Sequence, residues 1–534
     1  MAVSVPTQSE FDALAARVTA LEHTGGIIVP PVVSPDGTII TPGKGVIDDG
    51  LGHKWTVTAA GQIARDLSTD TSTSGVIQAG WFGKTIWQMH STRLAWSSLP
   101  VWPPIWLPSG GSTTSPFPPS SSSPPVPAPS TVLRCSAFTR NIGVNNHLGW
   151  SGTPYSNTAV IQAALAFLGI TLVRDAVPWS DDVQKQYQAL SNAGVRWNFV
   201  VGPSGQDMTT SLPLELNRIV SMGAPAVSIE GPNELNGQIV TFNGAPSSDP
   251  AVGAAIQRFV AQSVRANSLL AGKLLINISL TNGAANWENY LNALGDLSGS
   301  CDRGNWHVYF NGGAQPTANL TNMRQYALRS APNRPSIYTE TGYFTAFQDS
   351  SGWGGCDEAT QAKNTLNLLA ATAKMGIAQT FLYELLEGTL NPSSTDIENT
   401  FGLFHSDGSV KPVATAIHNL FLILADSNPS PTTALTPTFT FTGLPSTALW
   451  LLLSKGSNVF ELLVWNEAPN WDFTNKRAIA VPPTNVTLTL SKPMTSMKVY
   501  DPVNSVNVVQ IAAAPISTLT FPLADRMQVI ELTP

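Results

Sequence analysis

At 534 residues the chain is long enough for three or four domains, and a hydrophobic content of 43% gives each of them material for a core. Only 12% of residues are charged, well below the usual quarter, so the surface is largely Ser, Thr, Asn, Gln and Gly, which suits neutral, hydroxyl-rich ligands and an extracellular setting. The formal net charge of -7, without any basic run, excludes nucleic acid as a partner, because phosphate binding needs clustered Lys and Arg.

The first residues, MAVSVPTQSEFDALAARVTALE, have neither a basic start nor an apolar stretch, so a secretory signal is not expected. No apolar run reaches the roughly twenty residues of a membrane span, and a protein of this kind working outside a cell would leave by another route, a virion being one. Thr7-Gln8-Ser9-Glu10 reads as a capping box. Phe11, Leu14, Val18 and Leu21 follow at a and d spacing, which predicts a helix within 1–26. It serves either to dock or oligomerise the chain or to pack on the chain itself. The opening resembles the N-terminal helices of phage tail proteins, which implies attachment to a virion tail or a homo-oligomer.

Residues 27–107 show short β-type runs separated by Gly and Asp turns, as in GVIDDGLGHKWTVTAAGQIAR, and predict a small β module. Six of the fifteen tryptophans fall here: Trp55, Trp81, Trp87, Trp96, Trp102 and Trp106. Exposed indoles would stack on sugar faces, while buried ones would simply build the core, and the core reading is favoured for most of them. The stretch 108–130, PSGGSTTSPFPPSSSSPPVPAPS, is a Pro/Ser linker.

From 131 to 428 short apolar strands alternate with helical stretches. NIGVNNH, TLVRDA, RWNFVVG, VSIEGPNE, LLINISL, NWHVYF, SIYTETGY and TFLYELLEG count as eight strands, with amphipathic segments such as NTAVIQAALAFLG between them. The arithmetic is that of an α/β protein with a (β/α)8 TIM barrel, whose active site would lie at the C-terminal ends of the strands. Residues 429–534 return to strands and turns (ALWLLLSKG, VFELLVWNE, VTLTLSKP, MTSMKVYDP, STLTFPL, MQVIELTP) and predict a C-terminal β-sandwich. The three cysteines, Cys135, Cys301 and Cys356, match no zinc or redox spacing; Cys301 and Cys356 could pair if their loops meet, and Cys135 reads as a buried thiol.

Two strand ends carry the chemistry. Glu234 follows VSIEGPN after the fourth strand, and Glu340 ends SIYTE, the seventh. Glycoside hydrolysis needs one carboxyl to protonate the leaving oxygen and another to meet the anomeric carbon. An Asn-Glu pair after strand four and a Glu ending strand seven resemble the signature of clan A glycoside hydrolases. The barrel, over about residues 135–425, is most similar to the family 39 type and its exopolysaccharide-hydrolase relatives. The resemblance implies that Glu234 is the acid/base and Glu340 the nucleophile of a retaining enzyme acting on a polysaccharide, and that Asn233 bonds the sugar 2-hydroxyl. It also implies that His307 and Tyr309 bond the nucleophile and sugar, and that His147 binds sugar. Arg174 would keep Glu340 ionised, Trp179 would stack on a sugar, and Glu230, still within its strand, would balance Arg174. Where the clan often has a tryptophan after strand eight, this chain has Tyr383, Glu384 and Glu387. His405 and Asp407 read as structural. No metal or phosphate motif is present, and no cofactor is expected. The competing reading is a non-catalytic carbohydrate-binding or tail protein on a glycosidase scaffold.

Overall fold

The computed structural model describes residues 33–36, 38–49, 53–66, 68–82, 85–90, 95–98, 106–112, 132–223, 225–426, 436–456 and 458–534. The helix expected within 1–26 lies outside them. The chain forms two compact units, Met1–Ser121 and Ser122–Pro534.

In the first unit, strands Thr38–Ile40, Val76–Phe82, Thr85–His90, Ala95–Ser98 and Trp106–Ser112 make one antiparallel sheet, and four short strands between Ile47 and Thr69 make another. Trp55 and Trp81 are buried in its core with Ile47, Val57, Ile63 and Val76. Trp87 is half-buried, and Trp106 packs at the edge with its indole N–H donating to Asp70 at 2.9 Å. Trp55 and Trp81 thus belong to the core of this unit. The last strand runs to Ser112, five residues into the stretch expected as linker; backbone pairing with Ala95–Ser98 overrides the Pro/Gly/Ser composition.

The second unit holds the barrel. Its strands are β1 (Ile142–Asn145), β2 (Leu172–Ala176), β3 (Arg196–Val200), β4 (Ala226–Glu230), β5 (Leu274–Ile276), β6 (Gly304–Tyr309), β7 (Ser336–Gly342) and β8 (Thr380–Leu382). They form an eight-stranded parallel sheet in the order β5-β4-β3-β2-β1-β8-β7-β6. It nearly closes: between β5 and β6 the ladder shrinks to an Ile276–Arg303 bridge, supplemented by the Asn305 amide donating to the Asn277 carbonyl at 3.3 Å. Strands buried on both faces read as near-continuous apolar runs, which is why all eight were visible in the sequence.

One helix follows each strand: α1 (Thr158–Leu168), α2 (Asp181–Asn192), α3 (Met208–Ser221), α4 (Pro250–Ala266), α5 (Trp287–Leu294), α6 (Pro316–Ser330), α7 (Glu358–Lys374) and α8 (Pro412–Ile423). Their starts are locally encoded. Asn157, Ser180, Asp207, Asp249 and Asp357 accept backbone N–H groups of the first turn. Proline opens α4, α6 and α8, where a missing N–H costs nothing.

Beyond the barrel come β9 (Phe439–Thr442), β10 (Ala448–Ser454), β11 (Phe460–Asn466), β12 (Thr484–Tyr500), β13 (Val508–Leu523) and β14 (Gln528–Thr533). The two strands expected over 486–502 are one, β12, with a register shift around Met494 in place of a turn. Its first half pairs with β9 and its second with β14, so the sheet folds over on itself. β11 is buried along its whole length. Phe460, Leu462 and Val464 face the core inside the fold, and Leu463 and Trp465 join the core of the barrel. Leu133–Arg134, before the barrel, adds a parallel strand to β10. Cys135, Cys301 and Cys356 are buried free thiols. No helix among the described residues is long and apolar enough to cross a membrane.

Candidate active site

The C-terminal mouth of the barrel opens into a cleft of about 770 Å³. At its floor Arg174, projecting from β2, spends all five of its N–H groups. Nε and Nη2 donate to Glu230 at 2.8 and 2.9 Å, Nη1 to Glu340 at 2.7 Å and Asn145 at 2.8 Å, and Nη2 also to Asn233 at 2.6 Å. Glu230 is fully buried and further accepts from Asn198 at 2.7 Å, Thr339 at 2.9 Å and Asn305 at 3.1 Å. With every lone pair engaged inside the barrel, Glu230 anchors Arg174 and cannot reach a ligand, as its position within the strand suggested.

Glu340 and His307 are register partners on adjacent strands β7 and β6. Glu340 receives Arg174 on one oxygen and the Tyr309 hydroxyl, at 2.7 Å, on the other. Burial alone would raise its pKa, but the charges of His307 and Arg174 and the bonds from Tyr309 and Arg174 outweigh this and hold the carboxyl below its ordinary value. Burial pushes the Tyr309 hydroxyl far above its usual range, with the Glu340 charge acting in the same direction, so it stays a donor.

Glu234 follows β4 with φ at +41°, in the left-handed region that tight turns use. Its N–H donates to Ser279 Oγ at 2.9 Å, and its carbonyl accepts from Gly237 and Gln238 at 2.7 and 2.8 Å. This short turn aims the carboxyl into the cleft. His307 Nδ1 lies 3.0 Å from Glu234 and 3.3 Å from Glu340, and the ligating atoms of all three sit within 4.8 Å of one another. Burial disfavours the imidazolium, but Glu340 and Glu234 raise the pKa of His307 more than burial lowers it. Its Nε2 meets Thr339 Oγ1 at 3.2 Å, which fixes the ring. Asn233, its oxygen taken by Arg174, has its amide nitrogen left to donate.

His147, after β1, stacks on Trp150 with ring centroids 3.9 Å apart, and its Nε2 lies 3.1 Å from Glu384, which also accepts from Tyr155 at 2.8 Å. The Tyr383–Glu384 peptide is cis. Asp175 accepts from Asn146 and the Leu148 N–H, and burial lifts its pKa to about 6 against the pull of His147.

Glu234, Glu340, Asn233, His307, Tyr309, Arg174 and His147 therefore all line one cleft. Trp179 does not. It stands 68% exposed outside the wall, its indole donating to the Gly149 carbonyl at 3.2 Å, while its neighbour Trp150 takes the place in the wall. Both aromatics follow barrel strands, and only the fold distinguishes them. Trp353, Glu398 and Phe401 also line the cleft and come from long loops after β7 and β8, where no periodicity marks them. Asn145 was legible in principle as the polar end of an apolar strand.

Two groups among the described residues have metal-ligand spacing, Glu234–His307–Glu340 and Glu358–Glu387–His405. Neither shows in sequence spacing, because the ligands come from separate elements. In the first, Arg174 and Tyr309 already occupy both Glu340 oxygens. In the second, the buried Lys411 ammonium sits 3.2 Å from Glu387 and takes the cationic position. His405 lies 3.2 Å from Glu387 and 3.6 Å from Glu358.

No protein-family model and no curated protein matches the chain. Among solved structures, the fold is similar to that of a family 39 glycoside hydrolase from the gut symbiont Bacteroides cellulosilyticus WH2, with a TM-score of 0.53 at 14% identity over 94% of this chain and 99% of that one. A glucosidase from Croceicoccus marinus matches 74% of this chain and 96% of its own, at 13% identity and TM-score 0.49. A monomeric β-xylosidase from Caulobacter crescentus CB15 matches 77% and 98%, at 14% identity and TM-score 0.48. The likeness to the family 39 enzyme is one of architecture.

Proposed function

We propose that the chain is a retaining glycoside hydrolase that cleaves β-glycosidic bonds in a polysaccharide, a bacterial exopolysaccharide or surface glycan. The observation that carries this reading is the pair Glu234 and Glu340, whose carboxylate oxygens approach within 4.8 Å across the barrel mouth. Retaining enzymes hold their carboxyl groups roughly 5 Å apart, whereas inverting ones leave about 6.5–9.5 Å for a water. Glu340, kept ionised by Arg174 and Tyr309, attacks the anomeric carbon while protonated Glu234 gives its proton to the leaving oxygen. A glycosyl ester on Glu340 results. Glu234, now a carboxylate, takes a proton from water as that water attacks the same carbon and frees Glu340. His307, touching both, orients Glu234 and offsets the charge that builds between them. The Asn233 amide donates to the sugar 2-hydroxyl, a bond that strengthens in the transition state.

The polar, weakly charged surface supports an extracellular or virion-associated setting, and the segment 7–21 is proposed as the element that joins the chain to a tail or to its own copies. Light scattering on the full chain and on a chain lacking residues 1–26 tests this; equal masses would remove the oligomerising role.

The deciding experiment measures reducing ends released from bacterial exopolysaccharides and plant β-glycans by wild type and Glu340→Gln. Turnover by the wild type, lost by several orders of magnitude in the variant, is expected. Binding without turnover by either would assign the barrel as a carbohydrate-binding or tail-structural scaffold.

A further inference from the structure

We infer that the cleft accepts sugars without negative charge, neutral or amino-bearing, and that Glu398 at its rim enforces this against uronate-bearing glycans. The inference rests on the glycosidase reading and names the substrate class of that site.

The argument begins with what a substrate carboxylate would need. It must exchange its hydration for a cation or for several donors. Arg174 is the one Lys or Arg among the described residues lining the cleft, and its five N–H groups are all committed to Glu230, Glu340, Asn145 and Asn233. His307 lies between Glu234 and Glu340, and His147 lies against Glu384. Each positive or chargeable group is thus opposed by at least one carboxylate of the protein. Among the described residues that line the cleft, no cation is left for a ligand.

The uncommitted charge has the opposite sign. Glu398 lies on the loop between β8 and α8 and lines the cleft, yet its carboxyl carries no hydrogen bond or ion pair to the described residues. It is close enough to the floor to feel it: partial desolvation at the rim, then the charges of Glu234, Glu340 and Glu384, push its pKa up. A uronate brought into this cleft meets a carboxylate and no counter-ion. An ammonium group on the sugar meets a partner, and a hydroxyl meets an acceptor.

The test uses matched substrates differing only in charge: an acidic polysaccharide and the same polymer after chemical reduction of its uronates to neutral hexoses. Linkages are unchanged between the two. The full chain should release reducing ends from the reduced polymer about 100-fold faster than from the native one at low salt, since like-charge juxtaposition costs several kcal/mol. Added salt should narrow the gap, and Glu398→Lys should narrow it about tenfold or more by the same electrostatic reasoning. Equal or faster cleavage of the acidic polymer overturns the inference and leaves the glycosidase reading intact. If neither polymer is cut, that reading is what fails. Ligand-observed NMR with glucuronate, glucose and glucosamine then decides the charge question separately: glucuronate binding as tightly as glucosamine overturns it.

Discussion

Arg174 is the side chain on which the site depends most, because it fixes Glu230, Glu340, Asn145 and Asn233 at once. Arg174→Leu strands Glu230 without its counter-charge in the barrel interior, and breaking such a pair costs about 3–5 kcal/mol. Denaturant melts should show a loss of that size. Tyr309→Phe acts on the chemistry. Glu340 is held below its ordinary pKa, so it remains ionised as pH falls through the usual carboxylate range. Removing the Tyr309 bond destabilises the ionised form and raises that pKa, so the acid limb of kcat/KM should move to higher pH, by about one unit for a charge-assisted hydrogen bond. An acid limb that stays in place would detach Tyr309 from the nucleophile. At this scale the sequence was informative wherever a polar residue interrupted an apolar strand near its C-terminal end, as Glu340 and His307 do. It was silent on Glu398 and Trp353, whose positions depend on how loops fold back over the barrel. Trp179 shows the opposite error: an aromatic in the right place along the chain whose side chain turns away.

The loops of the cleft are braced from behind by the C-terminal segment. The Gly312 N–H donates to the carbonyls of Trp353 and Gly354 at 2.9 and 2.7 Å, which ties the loop carrying Asn311 to the one carrying Trp353. Phe473 fills the space beneath. A Cβ on Gly354 would lie 1.8 Å from the Phe473 ring, at a φ of +60° that already favours glycine. Gly354→Ala should therefore push the Trp353 loop out of place, raising KM for a polymeric substrate and lowering the melting temperature. Phe473→Ala in the same chain should recover part of both, and a double variant no better than the single one would refute the packing explanation. Strands and helix starts were legible because their patterns are local. The merged strand β12 and the pairing of Leu133–Arg134 with β10 were not, since both are decided by partners far along the chain.

For the molecule as a whole, chain length suggested three or four domains, yet the barrel and the C-terminal sheet form one compact unit. The reason is a shared core: Leu463, Trp465, Met527 and Val529 are buried in the same cluster as the barrel residues. A chain ending at residue 428 would expose that face and is expected to be insoluble. In the full chain, barrel and sheet should unfold in one calorimetric transition, while two separated transitions would mark them as independent domains. The gap in the ladder between β5 and β6 gives this unit a weak line. Past Asn277 the chain no longer pairs with β6, and Ser279 turns instead to hold the Glu234 and Leu235 N–H groups. The Ile278 and Thr281 N–H groups are held there by side chains alone, Gln257 and Asn236, at 3.1 and 2.9 Å, so amide protons along 278–281 should exchange with deuterium well before those of β7, whose backbone pairs on both sides. Each such opening frees the turn that aims Glu234, so breathing at the seam and the orientation of the proposed acid are one motion.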